Sequence, residues 1–321
     1  MTSHSENKGE TGAPFGLCWK GGIGYAKYAG LLLGILLLVA AVACQGRDVV
    51  RLAAEFDGEK ACAHVQAQVA LGPRPVGSAA LLQTAAYIES SLASVGWRPT
   101  RVMGEFRGVP IVNILAETSE PERATGGKIL IGAHYDTRPV ADRDPVAARR
   151  GEPILGANDG ASGVAVLLEL ARVYDPARSK YDVVLAFFDG EDKGGIDGWP
   201  FSVGADIVAE RLSQGLSAMI LVDMVGDSDL QVFYEGNSDL VLARDIWATA
   251  ARLGYGQWFV PEARYTLMDD HVPFLRRGVP AIDIIDFDYA YWHTVSDTAD
   301  KVSPRSLEMV GRVLLGYLYA R

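Results

Sequence analysis

KILIGAHYDT, residues 128–137, is an apolar run of strand length that stops in an imidazole, an aromatic ring and a carboxylate. A strand with one wet face alternates apolar with polar side chains. A run without alternation belongs to a strand covered on both faces, as in a largely parallel sheet with helices on each side. The same construction recurs along the sequence. Residues 183–188 lead into DGED, residues 218–222 end at Asp223, and residues 281–285 are followed by His293. Residues 111–115 and 230–234 read as further strands. Helical periodicity fills 79–95, 163–174, 205–213, 240–253 and 304–318. The expected class is α/β, with a mixed, mostly parallel central sheet flanked by helices on both faces. ETSEPERATGG, residues 117–127, separates the first two strands and reads as a hairpin loop, so those two are expected to pair antiparallel.

The protein has 321 residues, 49% hydrophobic and 22% charged, which suits one sizeable globular domain. Its formal charge of -10, with no Lys/Arg cluster, excludes a nucleic-acid surface, because such surfaces draw affinity from clustered cations. One segment departs from the soluble pattern. YAGLLLGILLLVAAVAC, residues 28–44, carries no charge and has about the shortest length that spans a bilayer. Lys20 and Lys27 precede it, which favours a cytoplasmic N-terminus and an exported globular part, although Arg47 and Arg51 follow. The segment ends in AVAC, similar to a lipoprotein cleavage site, so a transmembrane signal anchor and a lipidated Cys44 are both open. Residues 1–27 are polar and glycine-rich, and disorder is expected there. Residues 48–321 are the expected catalytic domain. Cys62 is the one cysteine beyond residue 44, so neither a disulfide within the domain nor a thiolate metal site is expected.

Ligands of open α/β sheets bind beyond the carboxyl ends of the strands. His134 and Asp136, Glu191 and Asp192, Asp223, and His293 all fall there, delivered by four separate segments. Asp159, in GANDGASG, opens a helix that returns across the sheet. Each has an ordinary reading: Asp159 as a helix N-cap, Glu191 and Asp192 as a solvated turn, the imidazoles as structural hydrogen-bond formers. An unpartnered carboxylate at the end of an apolar strand, as at Asp223, is costly. Several carboxylates converging without opposing Lys or Arg would repel one another unless a cation sat among them. Imidazole and carboxylate ligands without thiolate fit zinc first, with manganese, cobalt or iron compatible. Asp136, two residues after His134, is placed to orient that imidazole. Glu191, next to a ligand but facing differently, is placed to act as a free base.

The motifs LGPRPVGS (71–78), GAHYDT (132–137), GANDGASGVAVLLELAR (156–172), FFDGED (187–192), LVDMVG (221–226), DDHVPFLRRGVP (269–280) and YWHTVSDT (291–298) resemble those of the glutaminyl-peptide cyclotransferases. These enzymes share their framework with di-zinc aminopeptidases. The resemblance implies one zinc on Asp159, Asp192 and His293, Glu191 as proton shuttle, and Asp223 and Asp269 as catalytic acids. It also implies a small pocket walled by Trp199 and Trp292, with peptide or protein N-termini as substrates. Asp192 departs from the family's usual Glu, Met268 from a polar residue, and the stretch around Trp199 differs in length. The alternative is an aminopeptidase with two zincs, in which His134 and Asp223 complete a second site. The acid pair Asp269 and Asp270, and Trp292 directly before His293, favour the cyclase. A non-catalytic binding module is the third reading. No oligomeric state is implied.

Overall fold

The structure is a computed structural model and describes residues 49–118 and 125–320. The expected disorder over 1–27, the membrane segment 28–44 and the centre of the expected hairpin loop lie outside the described residues. Among those described, no helix is long and apolar enough to cross a membrane.

The described strands are β1 (Arg98–Phe106), β2 (Val109–Glu117), β3 (Lys128–His134), β4 (Asp182–Phe188), β5 (Leu216–Asp223), β6 (Val232–Glu235), β7 (Phe259–Tyr265) and β8 (Ala281–Ile285). The helices are α1 (Gly58–Ala70), α2 (Ala79–Ser94), α3 (Ala161–Val173), α4 (Val203–Leu212), α5 (Leu240–Arg252), α6 (Val272–Leu275) and α7 (Pro304–Tyr319). The main sheet runs in the order β1-β2-β4-β3-β5-β8. β4, β3, β5 and β8 are mutually parallel, whereas β1 and β2 join antiparallel at one side. The sheet is therefore mixed and mostly parallel, as expected.

Alternate residues of the parallel strands feed opposite layers. Ile129, Ile131, Val183, Leu185, Ile220 and Val222 face the large core under α1, α2, α3, α5 and α7. Leu130, Val184, Ala186, Met219 and Leu221 face α4 and α6. Both faces are covered, which is why these strands show no apolar-polar alternation.

Two sequence expectations need correction. The strand at 111–115, now β2, does not pair with β3, because β4 lies between them. β2 pairs antiparallel with both β4 and β1, and its hairpin is with β1, through a two-residue turn at Arg107 and Gly108 with φ of 52° and 78°. That left-handed pair is the turn whose twist suits a hairpin. β1, RPTRVMGEF, is an edge strand with much of its length exposed, so it lacks the apolar run by which the buried strands announce themselves. The strand expected at 230–234 is β6, and it pairs with β7 in a separate two-stranded sheet.

The carboxyl ends lie in register. His134 pairs with Phe188 and Asp223 with Ile285, so the backbone leaves β3, β4, β5 and β8 along one edge. α3 crosses that edge closely. A Cβ at Gly163 would lie 2.1 Å from the Val222 carbonyl oxygen, so only glycine lets the helix seat there.

Candidate metal centre and catalytic site

Five segments meet at this edge. His134 ends β3, Asp159 lies in the turn before α3, Glu191 and Asp192 follow β4, Asp223 ends β5, and His293 follows β8. Two groups of potential ligands result: His134, Asp159 and Asp223, and Asp159, Asp192 and His293, all five residues buried. Asp159 belongs to both. Its Oδ1 lies 3.2 Å from His134 Nε2, and its Oδ2 lies 3.6 Å from His293 Nε2. One carboxylate thus shows a different oxygen to each group. His134 Nε2 is also 3.2 Å from Asp223 Oδ1, and His293 Nε2 is 3.3 Å from Asp192 Oδ1. Asp159 Oδ2 and Asp192 Oδ2 are buried without a hydrogen-bond partner among the described residues. Buried carboxylate oxygens without a hydrogen-bond partner, converging with two imidazole Nε2 atoms, suit a divalent ion of zinc's ligand preference.

Residues behind the ligands hold them in place. The Asp136 carboxylate sits 3.5 Å from His134 Nδ1, beside that ring. It also accepts hydrogen bonds from the backbone N–H of Glu191 (3.2 Å) and Asp192 (3.1 Å), so it sets the β4 loop as well. Asp297 accepts from the N–H groups of Asn158 and Asp159 and from the Tyr289 hydroxyl, fixing the turn that carries Asp159. The buried Arg74 guanidinium donates to the carbonyls of Tyr135, Leu155 and Gly156. Gly160, with φ of 94°, completes that turn, and a Cβ there would meet the Asp136 carbonyl at 2.8 Å. His293 itself has φ of 56°, an uncommon conformation for a residue other than glycine and one often found at functional sites.

The acidic cluster is not free of opposing cations, contrary to the sequence expectation. Arg138 lies 3.6 Å from Asp192 Oδ1 and donates to the Asp192 and Gly194 carbonyls. Its main partner is Asp142, which it grips with two hydrogen bonds of 2.8 and 2.9 Å. Asp142 in turn lies 3.3 Å from His293 Nδ1. The loop containing Arg138 and Asp142 thereby aligns the second imidazole, a role its sequence does not signal.

Glu191 is the free carboxylate of the cluster. Its side chain forms no hydrogen bond to the described residues, and it opens on a cavity of ≈ 170 Å³ shared with Asp159, Asp223, Asp269, Trp292 and His293. Burial, and then the charge of Asp269, hold its carboxyl well above the usual range. Trp292 lines the cavity, packed on His293 with ring centroids 3.9 Å apart and against Phe287 at 4.9 Å. Trp199 does not. It packs into a separate cluster with Ile111 and Val203, against Phe106, under the Lys193 ammonium, and Phe201 lines the cavity instead. Asp270 is fully buried behind Asp269, to whose Oδ1 its N–H donates.

With protein groups alone, protons are retained here at unusually high pH. Burial, opposed by His134, leaves Asp223 at about 7; burial and Asp159 put Asp297 at about 7; burial and Asp136 put Asp189 at about 8. Burial alone would lower His293, but contacts with Asp142 and Asp192 raise it to about 9. Folded-state values above the unfolded ones mean that these groups favour folding at low pH. The carboxylates lose that contribution above their unfolded value of 3.8 and up through about 8, His293 between 6.5 and about 9. Metal-stripped protein is therefore expected to show a falling Tm from pH 6 to pH 9. Added zinc should flatten that slope by replacing the protons at the ligands. Calorimetry with and without chelator checks this; a Tm that rises over that interval in chelator contradicts it.

The sequence signature of peptidase family M28 matches residues 113–318, which contain every ligand and acid described above. The protein belongs to peptidase family M28. Its M28 domain is similar to a glutaminyl-peptide cyclotransferase-like protein of Mus musculus, 27% identical over 283 residues, covering 76% of this protein and 71% of that one. In structure it is similar to the glutaminyl cyclase of Bacteroides thetaiotaomicron bound to N-acetylhistamine (TM-score 0.77, 30% identity, 83% of this protein and 98% of that one). A Zn-dependent exopeptidase from Parabacteroides distasonis is similar too (TM-score 0.75, 30% identity, 83% and 99%). The M28 domain thus stands among relatives of both kinds, glutaminyl cyclases and a Zn-dependent exopeptidase.

Proposed function

We propose that this protein is a zinc-dependent glutaminyl-peptide cyclotransferase, converting the N-terminal glutamine of peptides or proteins to pyroglutamate with release of ammonia. The observation that carries the reading is Glu191, an unpaired carboxylate facing the same cavity as the candidate ligands, Asp223 and Asp269. The resemblance to glutaminyl cyclases in sequence and in structure supports it.

Asp159, Asp192 and His293 are the residues that would hold one zinc, and the bound ion would supply Lewis acidity toward the γ-carboxamide carbonyl. Glu191 accepts the proton from the attacking α-amine and passes it to the departing amide nitrogen. A new N–C bond closes the five-membered ring, the carboxamide bond to the departing nitrogen breaks, and ammonia leaves without consuming water. A high Glu191 pKa suits both halves of this shuttle, because a group that returns the proton must hold it well enough to carry it. Asp223 and Asp269 hydrogen-bond the amine and the developing tetrahedral centre. Trp292 and Phe287 wall the glutamine side chain.

Asp142 acts on the zinc through His293. Asp142→Asn is expected to weaken zinc binding about 10–100-fold, the usual cost of losing a carboxylate behind a ligating imidazole. Competition with a fluorescent chelator measures it, and unchanged affinity would show that the ring orients without Asp142.

A two-zinc aminopeptidase is the second reading, favoured by the intact group of His134, Asp159 and Asp223. Residues 48–321, tested for metal content, ammonia release from a Gln-initiated peptide and hydrolysis of an aminoacyl amide, separate the two. One zinc with ammonia release supports the cyclase, and two metals with amide hydrolysis support the peptidase. Neither activity, with no metal bound, would leave a binding module.

We also propose that residues 28–44 tether the enzyme to a membrane with its catalytic domain exported, supported by the uncharged composition of that segment. Membrane fractionation of the full-length protein, with mass spectrometry for lipid on Cys44, tests this; full-length protein recovered unmodified from the soluble fraction would rule it out.

A further inference from the structure

Glu191 and Asp223 reach the cavity from strand ends of the main sheet, whereas Asp269 comes from residues 267–271, between β7 and α6. Leu267, Met268 and Asp269 all line the cavity. Backbone outside a helix or sheet needs other partners to stay in one place. Those partners converge on Glu235, the last residue of β6. Its Oε1 accepts the Leu267 N–H at 2.8 Å. Its Oε2 lies 3.0 Å from His271 Nε2, which donates because an ionised carboxylate only accepts. Leu267 and His271 stand two residues before and two after Asp269, so one carboxylate grips the segment on both sides of the acid. Glu235 and His271 are both buried. The turn after β6 anchors the carboxylate itself: the Asn237 N–H, the Ser238 N–H and the Ser238 hydroxyl all donate to it. Ser238 Oγ also accepts the Asp283 N–H at 3.1 Å, which ties the turn to β8. Burial would raise the Glu235 carboxyl, but His271 and the N–H groups of Asn237 and Leu267 bring it down to about 2. An ionised carboxylate kept out of water is costly where apolar packing would serve the fold as well.

We propose that Glu235 is the positioning residue of Asp269, fixing where its carboxyl stands relative to the metal ligands without itself touching the substrate. The inference rests on the reading that Asp269 acts at the reacting centre. The grip reaches Asp269 from both directions along the backbone, and through Ser238 it is referred to β8, the strand that leads to His293. Irregular backbone without such a grip would let the acid drift, and a misplacement of about 1 Å can cost about 10²-fold in rate. Neither candidate ligand group includes Glu235 or His271, so the grip acts on the acid and not on the metal.

Glu235→Gln keeps the shape of the side chain but has one accepting oxygen, so it holds Leu267 or His271 and not both. In the zinc-loaded, full-length protein, kcat for ammonia release from a Gln-initiated peptide should fall about 10–100-fold with zinc content unchanged. A double-mutant cycle decides what the loss means. In the Asp269→Asn background Glu235→Gln should cost less than about 2-fold, because the group it positions is already gone. His271→Gln carries an amide N–H where Nε2 stood and should keep most of the native kcat, whereas His271→Asn, too short to reach Glu235, should lose it. Losses that multiply in the cycle overturn the inference, and so does equal kcat in the two His271 variants. Should Glu235→Gln not fold, the His271 pair decides alone. Failure of both of those to fold also overturns the inference, since a group that only positions leaves the fold intact. An unaltered enzyme that hydrolyses an aminoacyl amide and releases no ammonia fails the cyclase reading separately, and the same variants are then read on the hydrolysis. An unaltered enzyme with neither activity overturns both.

Discussion

Glu191→Gln is expected to bind zinc as the native protein does and to lose about 10²–10⁴ in kcat, the range that a positioned proton-transfer group contributes. The substitution keeps the shape of the side chain and removes its basicity. It leaves both buried ligand groups intact, since Glu191 belongs to neither, and the backbone N–H of Glu191 keeps its bond to Asp136. KM should change little, because the lost interaction is one made during proton transfer rather than on binding. Metal content, Tm and steady-state kinetics on one preparation check all three parts. Substantial residual turnover would move the base to Asp269, the other carboxylate at the cavity whose charge weighs most on Glu191.

Asp159→Ala is expected to do the reverse, removing the metal first and activity with it. Asp159 offers one oxygen to each ligand group, so no arrangement of one or two ions avoids it. Activity at ordinary zinc concentrations should fall more than about 10³-fold, by analogy with losing a whole catalytic constellation. Excess zinc should not restore it. His134→Ala discriminates further. In the one-zinc cyclase it should retain zinc on Asp159, Asp192 and His293, whereas in the two-zinc peptidase it should bind half the metal of the native protein. Elemental analysis of the three proteins side by side provides the measurement.

The parallel part of the sheet is legible in the sequence because strands buried on both faces are apolar throughout, and the same property marks where they end. His134, Asp192 and Asp223 stand out against such runs, and the structure brings them together with Asp159 and His293. β1 lacks that mark, being an exposed edge strand, so the sequence pattern offers β3 in its place beside β2. The supports are harder to see. Asp142 sits in a polar loop where carboxylates are ordinary, and Asp297 reaches the Asp159 backbone from far along the sequence. Arg74 bonds to carbonyl groups, which carry no residue identity to match. Only the family resemblance puts Trp199 at the pocket, and packing against Phe106 holds it elsewhere.

The bond from the Asp159 amide to Asp297 joins positions 138 apart in sequence. A polypeptide emerging from the ribosome therefore displays His134 and most of the site's acids long before the strap that poises Asp159 exists. Zinc captured at that stage would meet an incomplete, floppy set of donors and leave again. Metallation is thus expected as one of the last events of maturation, and zinc uptake by a truncated polypeptide ending before Asp297 should be weak even if much of the sheet has formed.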